Sequence, residues 1–238
     1  MKLPSFFKSQ SGSSALPASQ DKAEFVQSMF DEISPRYDLV NRIMTLRMDL
    51  TWRKYAAARL GLAPGSTLLD VACGTGDFVR LLRSMGHFCL GIDFSHGMLA
   101  ASDQDHLIRG DAKALPFPNE SFDGLTCGFA LRNFVSLDEV FQEMQRVLRP
   151  RASIALVEVA RPRLPLIRQA HSLYFDHMVP AIGSLISNSA AYNYLPQSTV
   201  YLPSEPELRA ELAAAGFKAI KFKYFLFGSA QVISATKA

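Results

Sequence analysis

Asp70, Asp93 and Asp111 each close a short run of aliphatic residues, where a parallel strand would end. Asp70 leads into Cys73-Gly74-Thr75-Gly76, and the glycines Gly74 and Gly76 let the backbone bend tightly and approach a ligand without a Cβ in the way. A carboxylate there sits poorly beside a pyrophosphate but suits a positively charged ligand, such as the ammonium or sulfonium of S-adenosyl-L-methionine. Asp93, ending the next run, is placed to accept from two ribose hydroxyls. Asp111 is placed to take an adenine amino group, with Ala112 supplying backbone polarity. Any one of these acids, taken alone, is as well explained as a helix cap or a solvated strand end. Three at successive strand ends make a nucleoside site the better reading.

Competing chemistries fit less well. No Gly-Lys-Ser/Thr follows the bend, which excludes a P-loop. Val79 occupies the third glycine position of a dinucleotide fingerprint, which with Asp70 disfavours a nicotinamide enzyme. The place where enzymes acting on nucleic-acid amines carry an Asn/Asp-Pro-Pro-Tyr/Phe turn reads Phe129-Ala130-Leu131-Arg132-Asn133. A catalytically silent subunit keeping only the fold is disfavoured by the intact bend and acids. Cys73, Cys89 and Cys127 have neither disulfide nor zinc spacing, His171 and His177 read as packing or surface residues, and no metal site is expected.

The elements that must hold these residues alternate. Residues 22–60 read as helical, broken at Pro35. Short strands are expected at 66–71, 89–93, 106–111, 122–129 and 153–159, with helices at 77–85 and around 97–101. The clearest helix carries Leu137, Val140, Phe141, Met144, Val147 and Leu148 on one face, with Ser136 and Glu139 spaced as a capping box and Pro150 as its stop. A helix at 208–215 precedes strands 217–226 and 230–235, close enough to pair as a hairpin. The expected fold class is α/β: a doubly wound, mostly parallel seven-stranded sheet with a C-terminal antiparallel hairpin.

Residues 1–20, rich in Ser, Ala, Gln and Pro, read as a flexible tail, and 21–238 as one domain. Residues 161–205 are far longer than an ordinary strand-to-helix connection and read as a lid or substrate insertion. There Met178, Ile182 and Ile186 share a helical face suited to packing or to lining a channel for an apolar tail, and Tyr192 and Tyr194 are candidate substrate contacts. The chain's 238 residues, 48% hydrophobic and 20% charged, suit one large core, and its three scattered cysteines fit a reducing cytoplasm. A net charge of +3, without a Lys/Arg block or basic groove, does not call for nucleic acid. Homodimerisation is left open.

The segments from Phe30 to Trp52, Leu69 to Asp77, Gly91 to Leu99, Gly110 to Asn133 and Tyr192 to Leu202 resemble the ubiquinone/menaquinone biosynthesis C-methyltransferases, over about Phe25 to Phe217. The bend is shared by many methyltransferases. More specific are Tyr37-Asp38-x-x-Asn41, Ala130-Leu131-Arg132-Asn133 and Tyr192-x-Tyr194-Leu195-x-x-Ser198. The resemblance implies cofactor contacts at Thr75, Asp93, Asp111 and Ala112. It implies that Tyr37, Arg132 and Asn133 face the transfer site, that the substrate is a polyprenylated quinol, and that contact with the membrane is transient and peripheral. Methylation of another small aromatic at carbon or oxygen is the alternative. The chain departs from the family pattern at Arg47-Met48-Asp49, where Gly-Ile-His is usual, at Arg151-Ala152, where Gly-Gly is usual, and at Leu202-Pro203.

A quinol carbon becomes a good nucleophile once its neighbouring hydroxyl ionises, and a free phenol has a pKa of about 10. The expected roles are therefore a positive charge from Arg132 and orientation of the hydroxyl or a water by Asn133 and Tyr37. A guanidinium with a pKa above about 12 is a poor proton acceptor, so charge stabilisation is the expected role.

Overall fold

The computed structural model describes residues 19–162 and 197–238, with Leu166, Gln169, Leu173 and Tyr194 between them. Its strands are β1 (Thr67–Val71), β2 (Phe88–Asp93), β3 (Leu107–Arg109), β4 (Phe122–Gly128), β5 (Leu148–Val159), β6 (Phe217–Phe225) and β7 (Ala230–Lys237). They form one sheet in the order β3-β2-β1-β4-β5-β7-β6. The first five are parallel, and β7 runs antiparallel between β5 and β6. β1 is central, with β2 on one side and β4 on the other, so the order reverses there and a crevice opens at the carboxyl ends.

Strands buried on both faces read as nearly continuous apolar runs. Leu68, Leu69 and Val71 of β1 are fully buried, as are Ile154 to Val157 of β5. One face is covered by α6 (Leu137–Val147), which inserts Val140, Phe141, Met144 and Val147, together with α7 (Glu205–Ala214). The other is covered by α3 (Met48–Leu60), through Trp52, Ala56 and Leu60, and α4 (Asp77–Ser84), through Phe78 and Leu82. A third cluster joins α1 (Ser19–Ile33), α2 (Tyr37–Met44) and α5 (His96–Ala100) around Val26, Ile33, Val40, Met98 and Tyr194.

Asp31 fixes α1 onto α5: its carboxylate accepts from Ser95 Oγ at 2.6 Å and from Gly97 N at 2.8 Å. Gly97 is required here, because a Cβ would lie 2.7 Å from the Asp31 Cα.

Several boundaries differ from the sequence reading. The stretch 22–60 is three helices, separated by a 3-10 turn at Ser34–Arg36 and by Leu46 and Arg47 in the left-handed region. Ser136 donates to Asp138 at 2.5 Å and makes no cap bond, so the expected capping box at α6 does not form. The box occurs at α7, between Ser204 and Glu207. β5 begins at Leu148, and its register against β4 shifts between Phe122 and Gly124 as the chain passes Pro150 and Arg151. Arg47 (φ 61°) and Arg151 (φ 65°), both standing where the resembled family has glycine, adopt the left-handed backbone that glycine favours.

Candidate active site

Three polar contacts fix the bend after β1, two of them to β2. Cys73 N donates to Ile92 O at 3.0 Å, Gly76 N to Cys73 O at 3.0 Å, and Gly74 N to Asp93 Oδ2 at 2.8 Å. Gly74 has φ 56° and nothing within 4 Å of where its Cβ would be, so the bend shows bare backbone on that side. Asp93 Oδ1 accepts from Ser95 N at 2.9 Å. Each Asp93 oxygen thus takes one backbone N–H and keeps acceptor capacity for a ligand. The residue is 7% exposed, and burial pushes its pKa up to about 6 despite those bonds.

A cleft opens beside this carboxylate. Its walls come from Ala23, Val26 and Phe30 of α1, from Tyr37, and from the ends of β1, β2 and β4. Gly74, Asp93, Asp111, Ala112, Tyr37 and Asn133 all line it. Asp111 is exposed and accepts from Lys113 N at 2.9 Å, while Ala112 is buried. The cleft therefore has a polar end, with carboxylates beside bare backbone, that fits an adenosine.

Four other residues named from sequence stand behind the wall. Asp70, 2% exposed, accepts from Thr126 Oγ1 at 2.7 Å, and burial pushes its pKa up to about 7. Thr75 is buried and donates to Asp38 Oδ1 of α2 at 2.7 Å, while its carbonyl accepts from Ser102 Oγ at 2.7 Å. Gly76 (φ 89°) packs on Gln104, whose Cγ would lie 2.9 Å from a Cβ. Arg132 is 4% exposed. Its Nη1 donates to Glu158 Oε1 at 2.5 Å and to Phe129 O at 2.8 Å, and its Nε donates to Ser198 Oγ at 3.1 Å.

Glu158 is fully buried at the end of β5 and also accepts from Val159 N at 2.8 Å. The Arg132 charge is therefore already paired behind the wall, where it supports the Phe129 carbonyl. Tyr37 packs edge-on against Phe30 with centroids 5.9 Å apart, and burial raises its pKa although a hydrogen bond with Asn41 opposes the shift. Tyr194 is buried, its hydroxyl 3.4 Å from Asn133 Oδ1, and burial pushes its pKa up to about 12. Tyr192, His171, His177 and the Met178, Ile182, Ile186 face lie outside the described residues.

Residues that the sequence reading missed complete the arrangement. Glu158 had a signal, as the lone acid in the apolar run 154–159. Asp38 stood within the Tyr37-Asp38-x-x-Asn41 motif without an assigned role, and Asp31 carried no signal. Lys22 gave none: its Nζ donates to Phe134 O at 2.8 Å and lies 4.1 Å from the Tyr201 ring centroid. Burial, then the nearby Arg132, lower its pKa to about 8.

With this geometry in place, comparison with known proteins is specific. Residues 18–237 match the model of the ubiE/COQ5 methyltransferase family. A demethylmenaquinone methyltransferase from a Roseiflexus species is 38% identical over 93% of this chain and 97% of its own. The ubiquinone/menaquinone biosynthesis C-methyltransferase UbiE of Geotalea daltonii is 35% identical over 91% of this chain and 98% of its own. Among solved structures, a SAM-dependent methyltransferase from Aquifex aeolicus shares the fold with a TM-score of 0.59 at 16% identity, over 84% of this chain and 98% of that one. The chain belongs to the ubiE/COQ5 methyltransferase family and is a methyltransferase dependent on S-adenosyl-L-methionine.

Proposed function

We propose that this methyltransferase acts on a ring carbon of a polyprenylated demethylquinol, either demethylmenaquinol or a ubiquinol precursor. The observation that carries the reading is the meeting of two sets of groups in one cleft. Asp93, Asp111 and the bare Gly74 backbone stand at one part, and Tyr37 and Asn133 at another, beside the apolar Ala23, Val26 and Phe30. The names of the relatives support the same substrate class.

S-adenosyl-L-methionine supplies the electrophilic methyl group when bound. Asp93 accepts from the ribose hydroxyls, and the Gly74 to Gly76 bend, braced from behind by Thr75 and Asp70, shapes the bed for the rest of the nucleoside. Asp111 and Ala112 hold the base. Tyr37 and the Asn133 amide orient the quinol hydroxyl or a water that accepts its proton. Arg132, bonded to Glu158 and to the Phe129 carbonyl, acts one layer behind and biases the potential toward the phenolate. Tyr194 holds Asn133, and Tyr192, outside the described residues, is assigned to the substrate from the sequence alone.

Residues 21–238 act as one domain, with 161–205 as its substrate insertion, at the cytoplasmic face of the membrane that holds the quinol. Among the described residues, no helix is long and apolar enough to cross a membrane. Leu39 and Ile43, one turn apart on α2, and Leu46 in the turn after it stand exposed and suit transient contact with a lipid surface. Nucleic acid has no part in this reading, and a homodimer is compatible with it.

The test is S-adenosylhomocysteine release with demethylmenaquinol, a ubiquinol precursor and water-soluble phenols, with the product mass recorded. Turnover with at least one quinol, and a gain of one methyl on carbon, is expected. Turnover confined to the phenols, or methylation on oxygen, would refute the substrate assignment.

A further inference from the structure

Arg53 is a buried cation that the site as described leaves unused. It projects from α3 and is 6% exposed. Phe78 and Phe129 flank its guanidinium, with ring centroids 5.0 and 5.2 Å from Cζ. Among the described residues none of its N–H groups makes a hydrogen bond, and Nε is sealed from solvent without an acceptor. Its ion partner is Asp77, whose Oδ2 lies 3.5 Å from Nε. Asp77 is already engaged by Arg42 at 2.5 Å and Arg80 at 3.2 Å. A buried guanidinium has five N–H groups to satisfy, and leaving them unmet is costly. A fold that keeps such a fork unsatisfied is set up for an acceptor that comes from outside the chain.

The position of the fork says which acceptor. Nη1 lies against Gly128 and leaves no room there for a Cβ, and Gly128 and Phe129 are both part of the cleft wall. Gly128 ends β4, on one side of β1; Asp93 and Asp111 follow β2 and β3, on the other. The guanidinium thus stands across the glycine bend from the acids that take the adenosine. S-adenosyl-L-methionine carries its one carboxylate at the end opposite its base, and the quinol carries none. A planar carboxylate matches the guanidinium fork in a bidentate pair.

We propose that Arg53 is a cofactor-binding residue that receives the α-carboxylate of the methionine part of S-adenosyl-L-methionine. The proposal rests on the use of that cofactor and extends it to an anion subsite. Its selectivity follows: the subsite discriminates ligands with the amino-acid moiety from nucleosides that lack it.

Calorimetric titration tests this with two ligands, S-adenosylhomocysteine and methylthioadenosine, which share the nucleoside and sulfur but differ in the amino-acid part. Arg53→Met should weaken S-adenosylhomocysteine on the order of tenfold to a hundredfold, as expected for hydrogen bonds to a charged group, and leave methylthioadenosine within about twofold. Arg53→Lys keeps the charge beside Asp77 and loses the fork. It should show a smaller loss with the same selectivity, and it serves if the methionine variant does not fold. Unchanged S-adenosylhomocysteine affinity, or equal losses for both ligands, would overturn the assignment. Failure of the parent chain to bind either ligand would instead overturn the cofactor reading beneath it.

Discussion

At the scale of single residues, the functional groups divide between those on the cleft wall and those that brace it. Tyr37 and Asn133 line the cleft, whereas Arg132 is buried against Glu158. Substituting Arg132 by Ala should lower turnover by roughly 10²–10³, by analogy with loss of an oxyanion-stabilising donor, and leave S-adenosylhomocysteine affinity unchanged. It also strands a buried carboxylate, which costs about 3–5 kcal/mol when a buried pair is broken. The double variant Arg132→Met/Glu158→Met separates the two effects: the melting temperature should largely recover while turnover stays low. Recovery of turnover along with stability would reduce Arg132 to a structural role. The pairing was not legible in the sequence, because Glu158 lies 26 positions from Arg132 and β5 and the turn after β4 meet only in the fold. The motif located Arg132 without showing that its charge is shared.

At the scale of elements, hydropathy patterning was sufficient where the environment is uniform. The seven strands occur where the sequence placed them; β1 and β5, with mostly buried residues, read as continuous aliphatic runs, whereas the largely exposed β6 was placed by its short separation from β7. Local polar signals were weaker guides. Ser136 and Glu139 have capping-box spacing, yet Ser136 bonds Asp138, while Ser204 and Glu207 form the box at α7. Breaks without proline were also hidden, as at Leu46 and Arg47. Arg151 has φ 65° in the turn into β5 and its side chain is exposed, so a non-glycine residue carries backbone strain there with no burial to offset it. Arg151→Gly should stabilise the chain by about 1 kcal/mol, raising the melting temperature by roughly 2–4 °C. A lower melting temperature would show that the arginine side chain contributes more than the strain it imposes.

At the scale of the whole molecule, the sheet order, the α1–α2 cover and the cleft make one arrangement. Asp31 on Ser95 and Gly97, and Asp38 on Thr75, clamp the N-terminal helices over the strand ends that carry the acids. Asp93 and Asp111 could be read from the sequence because strand ends in such a sheet face the ligand, whereas Asp70 is buried against Thr126 behind the cleft wall; the cover was not legible, since it depends on contacts across more than sixty residues of sequence. The same cover presents Leu39, Ile43 and Leu46 outward. Replacing Leu39 and Leu46 by Ser should reduce co-flotation with phospholipid vesicles several-fold and raise KM for a long-tailed quinol more than for a short-tailed one. Unchanged flotation would remove α2 from the membrane-facing surface.

The central claim is that Asp93, bound by the bend and kept partly unsatisfied, holds the nucleoside. Titration of S-adenosylhomocysteine into the parent chain and Asp93→Ala, between pH 5 and 8, addresses it directly. Burial places the Asp93 pKa at about 6 in the free protein, so parent affinity should be steady above pH 7 and fall as the carboxylate gains its proton below about 6. The alanine variant should bind at least tenfold more weakly at pH 7.5 and lose that acid-side decline. Parent-like affinity in Asp93→Ala, with the same pH profile, would contradict the account.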